Sequence, residues 1–182
     1  VSGAPGLAAF APASLTLARG QGGLLRVRLD RVASDPATVT LASSAPAIVG
    51  VAASVTIPAG ALAADVPLAA LALGTSTISA TLGASTQQLA VQVGAAVVVG
   101  VSLSKTALSL AAGSSDAVSL RAHYSDGSQQ DATAQATWTS SAGTVATVTA
   151  GTVTGVAQGS ATVTATHTVE GTPYTAGAAV TV

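Results

Sequence analysis

Few side chains in this sequence could do chemistry, and they fall in three places. His123 and His167 are the only histidines, and a neutral imidazole is the usual general base or zinc ligand. Both are expected on outward faces of separate strands, which makes them solvent-facing side chains rather than a catalytic pair. Ser125, Asp126 and Asp131 put oxygen ligands on one hairpin, the right chemistry for calcium. That ion takes about six to eight oxygens, however, and with so few carboxylates turn and cap roles suit these residues better. Asp30 with Arg26, Arg28 and Arg31 makes the only charge-dense spot. Two readings of it stand: a solvated strand face that blocks edge-to-edge pairing, and a contact for a neighbouring module or partner. With no cysteine there is no thiolate, disulfide or thiolate-bound zinc. The sequence contains no GxSxG elbow, HExxH helix or glycine-rich phosphate loop. The expectation is a chain that is not an enzyme, with no catalytic, cofactor-binding or metal-binding residues and no cofactor.

The whole composition points the same way. Of 182 residues, 6 are Lys or Arg and 7 Asp or Glu, a net charge of −1. Charged residues make up 7% against roughly 25% in an average globular protein. Hydrophobic residues reach 49% with only 2% aromatic, so the apolar content is mostly Ala and Val. Near-zero charge removes the basic footprint that nucleic acid or an anionic membrane surface requires. A mean hydropathy of +0.62 invites a membrane reading. The most apolar stretches, residues 61–73 and 91–101, nevertheless fall short of the roughly 20 residues a spanning helix needs, and the first is broken by Asp65 and Pro67. The expectation is a soluble chain with no nucleic-acid partner and no membrane insertion. It begins at Val1 and has no Met, which reads as a processed or excised piece, and residues 1–13 lack the pattern of a signal peptide.

What must position these groups is written in period 2. Leu25, Val27 and Leu29 alternate with Arg26 and Arg28; Leu89, Val91 and Val93 alternate with Ala90 and Gln92; Val118, Leu120, Ala122 and Tyr124 alternate with Ser119, Arg121 and His123. Such runs bury one strand face and wet the other. Turn signals such as Asp35-Pro36, Pro58-Ala59-Gly60, Asp126-Gly127 and Ala157-Gln158-Gly159 separate them, the rhythm of an antiparallel sandwich. Residues 61–73 read as an edge strand, because Pro67 breaks a helix and removes a ladder donor. Trp138, the single tryptophan, fills space that an Ala/Val core leaves open and reads as a core anchor.

The chain also repeats itself. Leu15-Thr16-Leu17 before Gly20 is echoed by Leu108-Ser109-Leu110 before Gly113, Ser43-Ser44-Ala45 by Ser140-Ser141-Ala142, and the run from Gly74 to Thr81 by that from Gly159 to Thr166. Three matches in one order predict a tandem duplication of one all-β fold, with an N-terminal extension at 1–13, one sandwich at 14–95 and a second at 96–182. The short Gly94-Ala95-Ala96 connection is no flexible coil.

In the second half the pattern becomes specific. Leu108-Ser109-Leu110-Ala111-Ala112-Gly113, His123-Tyr124-Ser125-Asp126-Gly127-Ser128, Ala136-Thr137-Trp138-Thr139-Ser140-Ser141 and Gly151-Thr152-Val153-Thr154-Gly155-Val156-Ala157-Gln158-Gly159 closely resemble the bacterial immunoglobulin-like domain of group 2. The resemblance covers nearly all of residues 97–182. The first half, with Val55-Thr56-Ile57-Pro58-Ala59-Gly60, resembles a more divergent bacterial Ig-like domain that lacks the Tyr-Ser-Asp-Gly-Ser hairpin and the tryptophan. The resemblance implies tandem immunoglobulin-like β-sandwiches as used in adhesins, stalks, phage tails and extracellular enzymes, without implying a shared ligand.

The expected role is a non-catalytic structural or adhesive module of a bacterial cell-surface or extracellular fibrous protein. Its partners would be neighbouring modules or subunits, and a host surface or polysaccharide as ligand. The alternative is an accessory module of a secreted enzyme whose catalytic domain lies elsewhere. The low charge has three candidate explanations: drift toward Ala and Thr, close packing in an assembly, or glycosylation of the many Thr and Ser faces. Residues 1–13, uncharged and carrying Leu7 and Phe10, have no evident partner inside the sandwich repeat. They read as a frayed terminus or as a strand donated to a neighbour.

Overall fold

A computed structural model describes residues 4–182. The chain forms two compact units, Val1–Val97 and Val98–Val182, all-β apart from one three-residue 3-10 turn at Thr133–Gln135 among the described residues.

In the first unit the strands are β1 (Ser14–Ala18), β2 (Gly22–Arg28), β3 (Ala37–Ser43), β4 (Val49–Val51), β5 (Ser54–Ile57), β6 (Ala63–Ala70), β7 (Gly74–Leu82) and β8 (Ser85–Gly94). They make a five-stranded sheet ordered β1-β8-β7-β3-β5 and a three-stranded sheet ordered β2-β6-β4. Period-2 patterning puts Val27, Val66 and Leu68 of the small sheet into one core with Val39, Ile57, Ile78 and Val91 of the large one, so the unit is a two-layer sandwich. β1 runs parallel to β8, with Leu17 opposite Val93.

Two expectations are corrected here. Residues 61–73 do contain a strand, but β6 is the centre of its sheet, between β2 and β4. The proline is tolerated because of where its missing N–H falls. Leu71 donates to Ile48 of the β4 side and Ala70 to Gln21 of the β2 side, so odd positions of β6 face β4. Since β4 ends at Val51, paired with Leu68, position 67 has no strand to donate to.

The N-terminal segment, in turn, has a partner within its own unit. Leu7 bridges Leu29, Ala8 donates to the Arg28 carbonyl and Asp30 to the Gly6 carbonyl, each at 2.9 Å. Leu7 and Phe10 are buried in the core. The segment extends the edge of β2, which leaves Leu7 and Phe10 covered by its own sandwich. Residues 1–3 lie outside the described residues.

The second unit contains β9 (Val98–Leu103), β10 (Ala107–Ser109), β11 (Ser115–Ala117), β12 (Leu120–Tyr124), β13 (Gln129–Asp131), β14 (Thr137–Ser140), β15 (Ala146–Thr149), β16 (Thr152–Gly155), β17 (Ser160–Val169) and β18 (Thr172–Thr181). The sheets are β10-β18-β17-β14, β11-β16-β15 and β13-β12-β9. β11 and β12 follow one path that bends at Val118, leaving β16 for β9. As β1 does in the first unit, the short strand β10 lies parallel on the last strand, with Leu108 opposite Val180. Val118, Val153, Val163 and Val180 form one core cluster, and Leu120, Ala122 and Ala165 anchor a second. Trp138 is half-buried and packs against both clusters.

Charge is sorted between the layers. The five-stranded sheet of the first unit and the four-stranded sheet of the second contain no Asp, Glu, Lys or Arg in any strand. Arg26, Arg28 and Asp65 lie on β2 and β6, and Asp116, Arg121 and Asp131 on β11, β12 and β13.

Candidate functional site

The charge-dense spot lies at the end of β2. The Arg26 guanidinium approaches Asp65 of the neighbouring strand at 3.9 Å, both exposed. Asp30 accepts the Gly6 amide on Oδ1 at 2.9 Å and Arg31 Nε at 3.3 Å. The Gly6 amide first, then the Arg31 guanidinium, holds the Asp30 carboxyl below its ordinary value of 3.8. The carboxylate therefore ties the N-terminal segment down, a function that neither reading of the sequence anticipated. Next to it a cleft of about 490 Å³ is bounded by Pro5, Gly6, Asp35, Pro36, Leu82 and Ser85. Its one carboxylate, Asp35, accepts the Ser34 hydroxyl at 3.0 Å, and Ser85 is occupied by the Leu7 amide at 3.0 Å. A single exposed carboxylate beside committed hydroxyls offers no acid–base pair.

The hairpin oxygens are likewise engaged. Asp126 Oδ1 accepts the Ser128 amide at 3.0 Å and the Ser128 hydroxyl at 2.6 Å, closing the turn in which Gly127 takes φ +81°. Asp131 Oδ1 accepts the Thr133 amide at 2.9 Å. Its carboxyl is held low by the Thr133 hydroxyl, then by that amide and by Arg121. Among the described residues no group of three or more His, Cys, Asp or Glu is gathered to hold a metal.

One histidine departs from expectation. His167 is inward-facing: it continues the parity of Val163 and Ala165, lies opposite Tyr174 and has its Nδ1 shielded from solvent. The ten-residue strand β17 keeps its alternation to the end, so Thr166 and Thr168 take the outer face and His167 the inner. His123 does stand on the outer side of β12, but half-covered, with Nε2 at 2.7 Å from Ser102 Oγ of β9. A hydroxyl–imidazole pair is the first half of a nucleophile–base arrangement. No carboxylate accepts a hydrogen bond from His123 among the described residues, and the pair straddles two adjacent strands rather than lining the cleft. Sequence reasoning missed it because residues 21 apart meet only once β9 and β12 pair. Trp138 donates Nε1–H to the Thr133 carbonyl at 3.1 Å, which fixes the indole in the structural position expected of it.

Each unit is a two-layer β-sandwich. Residues 97–177, most of the second unit, match the family model of the bacterial Ig-like domain (group 2). Similar solved structures include domains 5-6 of the S-layer protein SbsC, at 18% identity over 97% of this chain and 98% of that one, TM-score 0.42. The D0-D1 domain of intimin matches at 19% identity over 96% and 97%, TM-score 0.38. A C-terminal 282-residue intimin fragment, solved with the intimin-binding domain of the translocated intimin receptor, matches at 16% identity over 96% of this chain and 63% of that one, TM-score 0.42. Among curated proteins no relative matches. Among the described residues no helix is long and apolar enough to cross a membrane.

Proposed function

We propose that this chain is a non-catalytic Ig-like segment of a bacterial cell-surface or extracellular fibrous protein, in which each sandwich serves as a separately folding spacer and contact module. The observation that carries the reading is the family match over residues 97–177. It is supported by the chemistry of the chain's polar groups: the carboxylates of Asp30, Asp126 and Asp131 are spent on holding backbone amides, and the Ser102–His123 pair bridges two strands. Groups committed in this way stabilise a scaffold.

The test is location and mechanics together. Antibodies against residues 1–182 should label intact producing cells or their shed fibres, and the isolated chain under force should give two unfolding events. Labelling only after lysis would overturn the surface reading.

A further inference from the structure

We propose that the outer face of the five-stranded sheet in the first unit is a self-association surface whose partner is the same face of a second copy of this chain. The inference rests on the contact role proposed above and names the partner for it.

The face is built from three features. First, none of its five strands carries a charged residue, whereas the opposite sheet exposes Arg26, Arg28 and Asp65. Second, the outward positions line up in rows of hydroxyls, amides and methyls across the strands: Ser54, Thr40, Thr81 and Thr86 stand in one row, and Ala42, Ser79 and Gln88 in the next. Third, the hydroxyls touch along the rows, Thr81 to Thr86 at 3.3 Å and Thr38 to Thr56 at 3.4 Å, so the short side chains are already ordered.

These features select the occupant. Interface cores are depleted in charge, and the uncharged face strips no ion of its water when covered. A hydroxyl or amide is both donor and acceptor, so the array can satisfy an identical array brought up by a twofold axis. A charge lying on that axis would instead meet its own copy. The face has no aromatic residue in any of its strands, and so lacks the flat apolar platforms that a sugar ring stacks on. Five strands about 4.8 Å apart, averaging about seven residues of about 3.3 Å, give roughly 550 Å² per copy. Two copies then bury about 1,100 Å², at the lower limit for a specific pair and typical of a reversible one.

Sedimentation velocity on the whole chain, from about 10 µM to about 1 mM, reads the outcome directly. The average mass should climb toward about twice the monomer's and be insensitive to salt, because no charges are screened. Ala42→Glu with Gln88→Glu, both exposed and in one row, should leave the chain monomeric, with circular dichroism and melting unchanged. Ala42→Ser should keep the association, as should Ala69→Glu on the outer face of β6. A monomer throughout the range, association that survives the double variant, or association lost equally in Ala69→Glu would each overturn the proposal. Failure of surface labelling would remove the cellular role and leave this dimer untouched, so the two readings fail separately.

Discussion

Ser141 and Thr162 hold each other through two hydrogen bonds: the Ser141 amide donates to the Thr162 carbonyl at 2.9 Å, and the Thr162 amide donates to Ser141 Oγ at 2.8 Å. The same ring closes in the first unit between Ser44 and Thr77, at 3.0 and 2.9 Å. In both, the following alanine, Ala45 or Ala142, accepts two amides from the next turn. The echo of Ser43-Ser44-Ala45 in Ser140-Ser141-Ala142 is thus a conserved use of atoms between the units, joining the end of one strand to the middle of another.

From this lock follows the first prediction. Ser141→Ala leaves the Thr162 amide without its partner and should lower the stability of the second unit by about 1 kcal/mol. Ser44→Ala should do the same to the first unit. Because the only tryptophan, Trp138, lies in the second unit, fluorescence-detected denaturation should shift for Ser141→Ala and stay put for Ser44→Ala. A shift of equal size for both would contradict separately folding modules.

Gly159, just before β17, takes φ +153°. A Cβ there would stand 2.9 Å from Val145 Cγ2, as one on Gly74 would stand 2.8 Å from Ile48 Cδ1. Gly159→Ala combines a disfavoured backbone with a clash against a branched side chain and should cost about 2 kcal/mol. Gly100→Ala, with open space around its Cβ, is the control and should change the denaturation midpoint little.

How much of this could be read beforehand depended on whether a signal was local. Alternation along β2, β8 and β12 is local, and Leu25, Val27, Leu89, Val91, Leu120 and Ala122 are buried as their phase demands. The Asp126-Gly127 turn is equally local, and its glycine has the positive φ it was chosen for. The misplaced features needed information from another strand. Pro67 signals an edge unless it is known that β4 stops at Val51. His167 looks exposed unless the parity of β17 is carried through to Val169. Leu7 looks unpartnered until Leu29, just past the end of β2, is seen to bridge it. The Ser102–His123 contact depends on the register of two strands and leaves no trace in spacing. The charge-free sheet faces are visible only once strands are assigned to layers.

Trp138 packs between two core clusters and also donates to the Thr133 carbonyl. Trp138→Ala should cost about 3 kcal/mol, at the lower end for a large aromatic because the indole is only half-buried. Trp138→Phe retains most of the packing but orphans the carbonyl, for a loss of about 1 kcal/mol. Chemical denaturation followed by circular dichroism would order the three proteins; a phenylalanine variant as unstable as the alanine one would show that the hydrogen bond dominates.

Acid should weaken the second unit through Asp116. Both carboxylate oxygens lie 2.6 Å from Lys105 Nζ, and this partner first, then the Ala117 amide, holds the carboxyl below its ordinary 3.8. A carboxyl depressed in the folded state adds stability above its unfolded value and loses it as pH falls through the folded one. Denaturation midpoints should therefore be level with respect to this group from about pH 8 to about 5 and fall below about 4. Asp116→Asn should flatten that acid limb. An unchanged limb would assign the acid response to Asp131, whose carboxyl is depressed in the same unit.

Leu7 is 6% exposed and Phe10 9%, and the backbone around them is bonded to Arg28 and Asp30. If this segment were a strand offered to a neighbour, truncating its side chains would leave the first unit as stable as before. Buried as it is, Leu7→Ala should cost that unit about 3 kcal/mol through lost burial and the cavity left behind. Asp30→Asn should cost less, because the asparagine oxygen still accepts the Gly6 amide. Circular dichroism melts will show the first unit's transition moving down for Leu7→Ala while the Trp138 fluorescence transition of the second stays fixed. A first unit indifferent to Leu7→Ala would return the segment to the role of a free donor strand.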